Sequence, residues 1–487
     1  MRVRRIVKYN KEALRDKIYA CWLGKNIGGT IGTPYEGTRE FLDVKGFNSA
    51  PGTPLPNDDL DLQLMWLTAM ELEGPWYFNS RALGEYWLLG IDPCWSEYGE
   101  AKANLSGGVA GPLSGELYND KWRNSNGAWI RSELWACLAP GFPSIACEYA
   151  FQDASVDHGM GEGTYAELFT ATLESSAFFI SDPRAVILEG LKSVPETSRV
   201  YKAVSLVLSE FDKGTDYKTV RDMLVKQSED IGWFQAPANL GFVAIGLLYG
   251  GGDFKKSVVY AVNCGDDTDC TGATVGSIMG IMHGTAGIPK DWAEYIGDTI
   301  DTICVNTMYL PNMPKTCGEL TDRVMQLLHV VLYAHHLPVE WGDKDELPEP
   351  YQPFDPKTIV ERDRYNFEIP HLPYIYGYGA FDREPIVKAG EEITLKLNVT
   401  SGANGRAYGG ENAHCTANFG VKLILPDGWS AVYDKTLHLR DYSPGQDTSE
   451  WTATVTAGET ESVNHVYAIF ESPAHNNPLI VDYVIKG

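Results

Sequence analysis

Apolar residues recur every three or four positions over most of residues 10–335, which is the spacing of helices that bury one face. The pattern predicts helices over residues 12–23, 59–73, 165–180, 242–249, 255–262 and 321–336. After residue 376 the period changes to two, and short apolar runs occur over 392–399, 421–425, 451–455 and 466–470. Several short strands within about 110 residues predict a small Ig-like β-sandwich.

Prolines mark the change from one pattern to the other. Seven of them lie between residues 337 and 375, a density that prevents a continuous helix and is typical of a linker. We therefore predict a mainly α chain with an all-α domain over 1–345, a proline-rich linker over 346–375 and an accessory β-sandwich domain over 376–487. The sandwich either binds a polymer or caps the helical domain, and we favour the cap.

Glycines recur every four residues in two of the helical segments. One set comes early in the chain and the other late: Gly24, Gly28 and Gly32, then Gly272, Gly276, Gly280 and Gly284. Glycine costs up to about 1 kcal/mol per helical position relative to alanine, so a repeated pattern needs a reason. Close packing of another helix against the glycine face is the favoured explanation, and backbone access for a ligand is the alternative.

The charge of the chain restricts its partners. The formal net charge is -25, which repels nucleic acid and anionic membrane surfaces, so neither is expected as a partner. An anionic substrate stays open because a bound metal can reverse the local sign. The nine cysteines include no CxxC pair, and neither a secretion signal nor a membrane-spanning run is apparent, so a cytoplasmic location is expected.

Two aspartate clusters each precede a predicted helix. Asp58 and Asp59 follow a loop rich in proline and glycine, and they can also be explained as capping acids that favour the helix dipole. Asp266, Asp267 and Asp269 put three carboxylates within four residues, with no basic residue nearby, so they repel one another unless a cation binds. Carboxylate oxygens suit magnesium, calcium or manganese, and we predict that both clusters serve one metal-dependent hydrolytic site.

Several segments together resemble the ADP-ribosylglycohydrolase family, including its crystallin-like branch. In chain order they are the glycine-rich stretch 24–36 ending in Pro34-Tyr35-Glu36, then Asn57-Asp58-Asp59, Asn126-Gly127-Ala128, the histidine segment 153–158, and Asp267-Thr268-Asp269-Cys270. The resemblance covers about the first 335 residues and rests on the ordered set, since each piece alone is common.

The resemblance implies an all-α fold with two divalent metal ions at the base of a cleft, magnesium being preferred over manganese or calcium. It implies that the metal ligands are Asn57, Asp58, Asp59, Asp267 and Asp269. It also implies catalytic roles for Glu36, Asp59 and Asp267, with Glu36 beside the metals as an acid, a base or a water-positioning group. Asn126, His158 and Asn239 are the implied substrate-binding residues.

Three positions depart from the family pattern. Asn57 replaces the hydroxyl residue before the aspartate pair, Cys270 stands where a serine or threonine is usual, and Gly29 replaces an aspartate. A thiol is a poor magnesium ligand, so Thr271 or water would have to substitute for it. These departures leave the identities of the metal and the substrate open. They affect the predicted fold less.

The function expected from the resemblance is metal-dependent cleavage of an N- or O-glycosidic bond in a ribose-like furanoside, ADP-ribose conjugates among them. The expected partner is a small-molecule or glycoside substrate. The alternative is a non-catalytic, crystallin-like protein that binds metal or sugar. Aromatic residues near the second and third segments can line a sugar cleft, although core packing is favoured for them: Trp76, Tyr77, Tyr86, Trp87, Trp95 and Trp122.

Overall fold

The computed structural model describes residues 6–76, 78–307, 312–348, 375–401, 417–439, 448–471 and 478–487. It has two compact units, Met1–Pro356 and Lys357–Gly487. The first is built from helices and the second from antiparallel strands, so the predicted fold class is confirmed. The linker predicted over 346–375 lies almost wholly outside the described residues.

The helical unit contains fifteen α-helices among its described residues. They are α1 (Lys11–Gly32), α2 (Asp58–Glu73), α3 (Ser80–Gly90), α4 (Ser96–Ser106), α5 (Glu133–Leu138), α6 (Pro143–His158), α7 (Glu162–Ala177), α8 (Pro183–Leu191), α9 (Arg199–Lys213), α10 (Tyr217–Gln227), α11 (Ala236–Tyr249), α12 (Phe254–Val262), α13 (Thr268–His283), α14 (Lys290–Ile296) and α15 (Cys317–Ala334). Each of the six helices predicted from periodicity overlaps one of these.

Helices α1 and α13 pack backbone to backbone along their glycine faces. A Cβ atom on Gly28 would lie 1.9 Å from the carbonyl oxygen of Gly272, and one on Gly24 would lie 2.1 Å from that of Gly276. The same contact continues to the end of α1, where a Cβ on Gly32 would lie 2.2 Å from the carbonyl oxygen of Thr268. This packing brings the last turn of α1 onto the first turn of α13, where the second aspartate cluster lies.

A short parallel strand pair joins the two ends of the helical unit. Strand β1 (Val7–Asn10) pairs with β2 (Val339–Gly342), with Val7 opposite Val339. The sequence pattern did not predict either strand. Both are four residues long, and such short strands leave little periodicity to detect.

In its described residues the second unit is a sandwich of two four-stranded antiparallel sheets. Its strands are β3 (Ile375–Phe381), β4 (Glu392–Ser401), β5 (Ala417–Ile424), β6 (Ser430–Tyr433), β7 (Thr436–Leu439), β8 (Thr448–Thr456), β9 (Asn464–Glu471) and β10 (Leu479–Ile485). The sheet orders are β10-β9-β5-β7 and β3-β4-β8-β6. Alternate residues of β4, from Ile393 to Val399, are buried in a core that also contains Trp451 and Phe470. The two-residue period of the sequence therefore has its expected cause.

No helix within the described parts of the chain combines the length and the apolar character needed to cross a membrane. Eight cysteines fall within the described residues and all are free thiols, while Cys415 lies outside them.

Candidate active site

The two aspartate clusters meet at the N-terminal ends of α2 and α13. Asn57 caps α2, where its side-chain oxygen accepts a hydrogen bond from the backbone N–H of Asp59 at 2.7 Å. The Asn57 side-chain nitrogen lies 3.3 Å from Oδ2 of Asp269, 212 positions further along the chain. An amide oxygen has two lone pairs, so Asn57 can cap the helix and still bind a metal ion. Its role as a metal ligand stays a prediction.

Two overlapping groups of side chains are close enough to share a cation. Glu36, Asp267 and Asp269 form one group and Asp59, Asp269 and Cys270 the other, with one ligand atom from each residue within 4.8 Å of the others. Sγ of Cys270 lies 3.2 Å from Oδ1 of Asp59. Asp269 belongs to both groups, so a metal at either position would contact it.

Two buried carboxylate oxygens in these groups have no hydrogen-bond partner among the described residues: Oδ2 of Asp59 and Oδ1 of Asp269. A buried polar atom without a partner costs free energy, so such atoms call for a ligand. Hard carboxylate oxygens are the donors that magnesium, manganese and calcium prefer. The residues present therefore fit a divalent cation, with the carboxylates as ligands and the Cys270 thiol as the poorest donor.

The charges of the site also favour a bound cation. Burial raises the pKa of Asp267 well above its usual value, and the negative charge of Glu36 raises it further. Burial raises the pKa of Asp269 similarly, with Asp267 and Glu36 adding to the effect. Carboxyl groups in such positions favour the neutral form unless positive charge is nearby. A divalent cation would supply that charge.

A cleft of about 300 Å³ opens above these acids. Its floor includes Glu36, Asp58, Asp267 and Asp269, and the hydroxyl of Tyr98 donates a hydrogen bond to Oδ2 of Asp58 at 3.0 Å. The remaining lining residues form the walls: Trp95, Ser96, Glu97, Tyr98, Trp122, Ser125, Asn126, Gly127, Ile130, Phe234 and Cys270.

The predicted core position of the aromatic residues is wrong for three of them. Trp95 is 51% exposed and lines the cleft, as Trp122 does. Trp87 and Tyr86 are buried as expected, while Trp76 is 61% exposed without lining the cleft. Tyr77 lies outside the described residues. Periodicity cannot separate these cases because a wall aromatic and a core aromatic occupy similar positions in the sequence.

Of the three predicted substrate-binding residues, only Asn126 lines the cleft. Its side-chain nitrogen donates to Oδ2 of Asp267 at 2.7 Å, and its oxygen accepts from Nε1 of Trp129 at 3.1 Å. Asn239 is fully buried and donates to Oδ2 of Asp266 at 2.8 Å. Asn239 is therefore placed to fix the turn before α13, where Asp266 adopts a positive φ of 68°.

His158 lies one layer behind the cleft wall and is fully buried. Its Nε2 is 3.1 Å from Oγ of Ser125, a wall residue, and its Nδ1 is 3.0 Å from Oδ1 of Asp157. Burial opposes ionisation of Asp157, but Arg131 and then His158 overcome it and lower the pKa of Asp157 to about 2. His158 is therefore placed to position Ser125 rather than to contact a ligand.

Buried cations support the floor from below. Arg131 donates from Nε to Asp153 at 2.9 Å and from Nη2 to Asp157 at 2.6 Å, and all three side chains are fully buried. Nζ of Lys25 lies 2.7 Å from Oε1 of Glu133, and both of these side chains are also buried. Their charges also reach the floor: burial raises the pKa of Asp58, and Lys25 and Arg131 act against that rise.

Comparison with known proteins identifies the family of the helical unit. The family model described as ADP-ribosylglycohydrolase matches residues 10–324. The chain belongs to this family. The match ends before the β-sandwich, and it does not test the crystallin-like branch, which stays a prediction.

Individual relatives of the family are more distant. Residues of this chain are 27% identical over 93 positions to "ADP-ribosylarginine hydrolase Tri1" from Pseudomonas putida (strain GB-1), covering 19% of this chain and 22% of that protein. The similarity thus spans about a fifth of that relative. A solved structure, "ADP-ribosylglycohydrolase-related protein complex", matches 67% of this chain and 100% of its own at 20% identity and a TM-score of 0.42. A FixG-related protein from Vibrio parahaemolyticus matches 23% of this chain and 95% of its own at 9% identity and a TM-score of 0.18.

Sequence reasoning missed one acid of the cleft, Glu97. It lies in the first turn of α4, lines the cleft, and is only 7% exposed. A Cβ on Gly127 would lie 2.1 Å from Oε1 of Glu97, so glycine at position 127 leaves room for this carboxyl group in its observed position. Burial raises the pKa of Glu97. The sequence signal was therefore Gly127 in the Asn-Gly-Ala segment, although it did not indicate which side chain fills the space.

Proposed function

We propose that this chain is a metal-dependent glycohydrolase that cleaves an N- or O-glycosidic bond at the anomeric carbon of a ribose-like furanoside. Membership of the ADP-ribosylglycohydrolase family supports the reaction class. The observation that carries the proposal is the convergence of partnerless, buried carboxylate oxygens of Asp59 and Asp269 beneath a cleft of sugar size. ADP-ribose conjugates, which the family's name indicates, are one member of this riboside class.

The proposed metal ligands are Asp58, Asp59, Asp267 and Asp269, with Asn57 as a further candidate. The preferred metal is magnesium, in two positions that correspond to the two overlapping groups of ligands. A divalent cation held there would supply positive charge that orients sugar hydroxyls and lowers the pKa of a bound water.

The protein's own groups account for the other requirements of glycoside cleavage. Glu36 stands at the mouth of the acidic floor, and burial followed by the charge of Asp58 raises its pKa, which favours a carboxyl group that carries a proton. Carboxylates on the floor stabilise the positive charge that develops on the sugar ring as the glycosidic bond breaks. Asn126 holds Asp267 in place by the hydrogen bond to its Oδ2. The family resemblance and this placement support Glu36, Asp59 and Asp267 as the catalytic residues.

The test is hydrolysis of a panel of N- and O-ribosides by the protein with Mg²⁺ and with a chelator. In the Asp267→Asn/Asp269→Asn variant we expect kcat to fall by about 100-fold or more, since even outer-shell partners of a metal contribute 10- to 100-fold. The matched control is Asp212→Asn/Asp230→Asn, whose side chains are 55% and 59% exposed and form surface ion pairs. Turnover that survives both the chelator and the first double variant would contradict the proposal.

A further inference from the structure

We propose that Glu97 is a further catalytic residue, the acid that gives a proton to the leaving group as the glycosidic bond breaks. The inference rests on the proposed glycohydrolase function and assigns a step within it. Bond cleavage leaves an electron pair on the oxygen or nitrogen of the leaving group, and this atom takes the carboxyl proton of Glu97. The attacking water adds a hydroxyl group to the anomeric carbon and releases one proton to solvent, from which Glu97 regains its own.

The position of Glu97 places its carboxyl group on the wall of the cleft. Glu97 lies in the first turn of α4 and lines the cleft although its side chain is almost fully buried. The next residue, Tyr98, donates a hydrogen bond to Asp58 on the floor. Ser96, directly before Glu97, adopts a positive φ of 41°, a strained conformation that is frequent at functional sites. The start of α4 therefore connects the acidic floor to a wall that carries a separate carboxyl group.

Glu97 differs from Glu36, the other glutamate in the described lining, in its relation to the floor. Glu36 supplies one ligand atom to a group with Asp267 and Asp269, so a divalent cation held there would favour the ionised form of Glu36. Within the described residues, Glu97 belongs to neither group of potential cation ligands. Of these two glutamates, Glu97 is therefore the one that keeps its proton when the floor is loaded.

The surroundings of the Glu97 carboxyl group suit a proton that is held and then released. Burial raises the pKa of Glu97, His158 acts against this rise, and Asp157 adds to it. A side-chain hydrogen bond with Ser125 also acts against the rise. Burial thus favours the form that carries the proton before cleavage. His158 and Ser125 favour the carboxylate that remains after the proton has been given away.

Backbone packing limits where this carboxyl group can lie. A Cβ on Gly127 would meet Oε1 of Glu97 at 2.1 Å and Cε1 of Tyr98 at 3.1 Å. The carbonyl oxygen of Gly127 accepts a hydrogen bond from Nη1 of the buried Arg131, which fixes this stretch of backbone. Glu97 is therefore held between its own helix and a fixed backbone, and its carboxyl group is oriented before a substrate binds.

The decisive experiment compares two substrates whose leaving groups differ in their need for a proton. A nitrophenyl ribofuranoside releases a stable phenolate, whereas the methyl ribofuranoside has to be protonated to leave, and each is assayed as both anomers with saturating Mg²⁺. We expect Glu97→Gln to lower kcat by about 100-fold or more for the methyl compound and by less than about tenfold for the nitrophenyl compound. Equal losses would overturn the inference while leaving the glycohydrolase function intact. An unmodified protein that hydrolyses none of the N- and O-ribosides would instead remove the proposed function, and the inference with it.

Two controls separate proton donation from metal binding and from a general effect on α4. Because Glu97 lies outside both groups of cation ligands, Glu97→Gln is expected to bind Mg²⁺ in calorimetry as the unmodified protein does. Loss of that binding, as expected for Asp267→Asn/Asp269→Asn, would show that Glu97 is a metal ligand and overturn the inference. Glu100→Gln, in the same helix but outside the cleft lining, is the matched control and is expected to hydrolyse both substrates normally.

The pH dependence of the unmodified protein gives a test that needs no variant. An acid catalyst acts only while it carries its proton, so kcat for the methyl compound is expected to fall as the pH rises through the raised pKa of Glu97. The nitrophenyl compound is expected to lack this fall, because its leaving group needs no proton. Identical pH profiles for the two compounds would overturn the inference.

Discussion

Replacing Gly28 by alanine puts a methyl group between α1 and α13, where two backbones are in contact. The new Cβ would lie 1.9 Å from the carbonyl oxygen of Gly272 and 2.3 Å from its carbonyl carbon. Because Cβ contacts below 3.0 Å are essentially never seen, the helices must separate by at least about 1.1 Å at this point. The obstructing atoms belong to a helix backbone, so no flexible side chain can move aside.

The expected cost follows from two opposing contributions. Overpacking a close contact costs about 1–3 kcal/mol and occasionally more, and a backbone-to-backbone clash falls at the upper end of that range. Alanine returns up to about 1 kcal/mol through its higher helix propensity. We therefore expect Gly28→Ala to lower the free energy of unfolding of the helical unit by about 2 kcal/mol. Metal affinity is expected to fall too, because the same contact positions the first turn of α13, which contains Asp269.

The assay is urea denaturation followed by helical ellipticity, with and without Mg²⁺. Gly318→Ala in α15 is the matched control, since its Cβ would meet nothing closer than 3.4 Å. That variant is expected to be as stable as the unmodified protein or slightly more stable. If Gly28→Ala behaves like Gly318→Ala, close glycine packing does not determine how α1 and α13 meet, and our explanation of the glycine repeats is wrong.

Three further predictions concern buried charge and the two units. Arg131→Met leaves two buried aspartates without their cation, so we expect a loss of about 3–5 kcal/mol in unfolding free energy by urea denaturation; an unchanged midpoint would refute it. Burial, followed by the charge of Glu133, raises the pKa of Glu174 well above 4.5, so stability that is fully present below pH 4.5 is lost as the pH rises from there toward the raised pKa. Glu174→Gln should therefore weaken the fall in stability between pH 4 and pH 8, measured by thermal unfolding at each pH, and an identical fall in both proteins would contradict this. Although the sequence favours a cap, the sandwich has its own core, so the unit Met1–Pro356 produced alone is expected to unfold cooperatively; aggregation of that fragment would support the cap.

Periodicity located the fold only in part, and burial alone does not explain which helices it found: α7 is buried nearly all round and was predicted, whereas α9 buries one face and was not. Periodicity indicated α1 only over residues 12–23, yet the helix continues to Gly32, because its last turns pack on α13 and become buried all round. Helix α6 is also buried on most sides, so its sequence shows no alternation between an apolar and a polar face. The β1–β2 pair joins residues more than 300 positions apart, and only the tertiary structure brings them together.

The candidate site was also predictable only in part. The aspartate clusters were identifiable because three carboxylates in four residues are costly without a cation, and the structure brings Asp59 and Asp269 into one site as expected. His158 was found from the family resemblance, but its position behind Ser125 depends on packing that no local pattern contains. Glu97 was missed because its only trace in the sequence is the absence of a side chain at Gly127, in a different segment.

The converging carboxylates are expected to bind divalent metal ions. Isothermal titration calorimetry of Mg²⁺ into metal-free protein measures this binding, with Mn²⁺ and Ca²⁺ as comparisons. We predict saturable binding by the unmodified protein and by Asp212→Asn/Asp230→Asn, and its loss in Asp267→Asn/Asp269→Asn. A folded, unmodified protein that binds none of the three ions would contradict the claim and favour a non-catalytic scaffold.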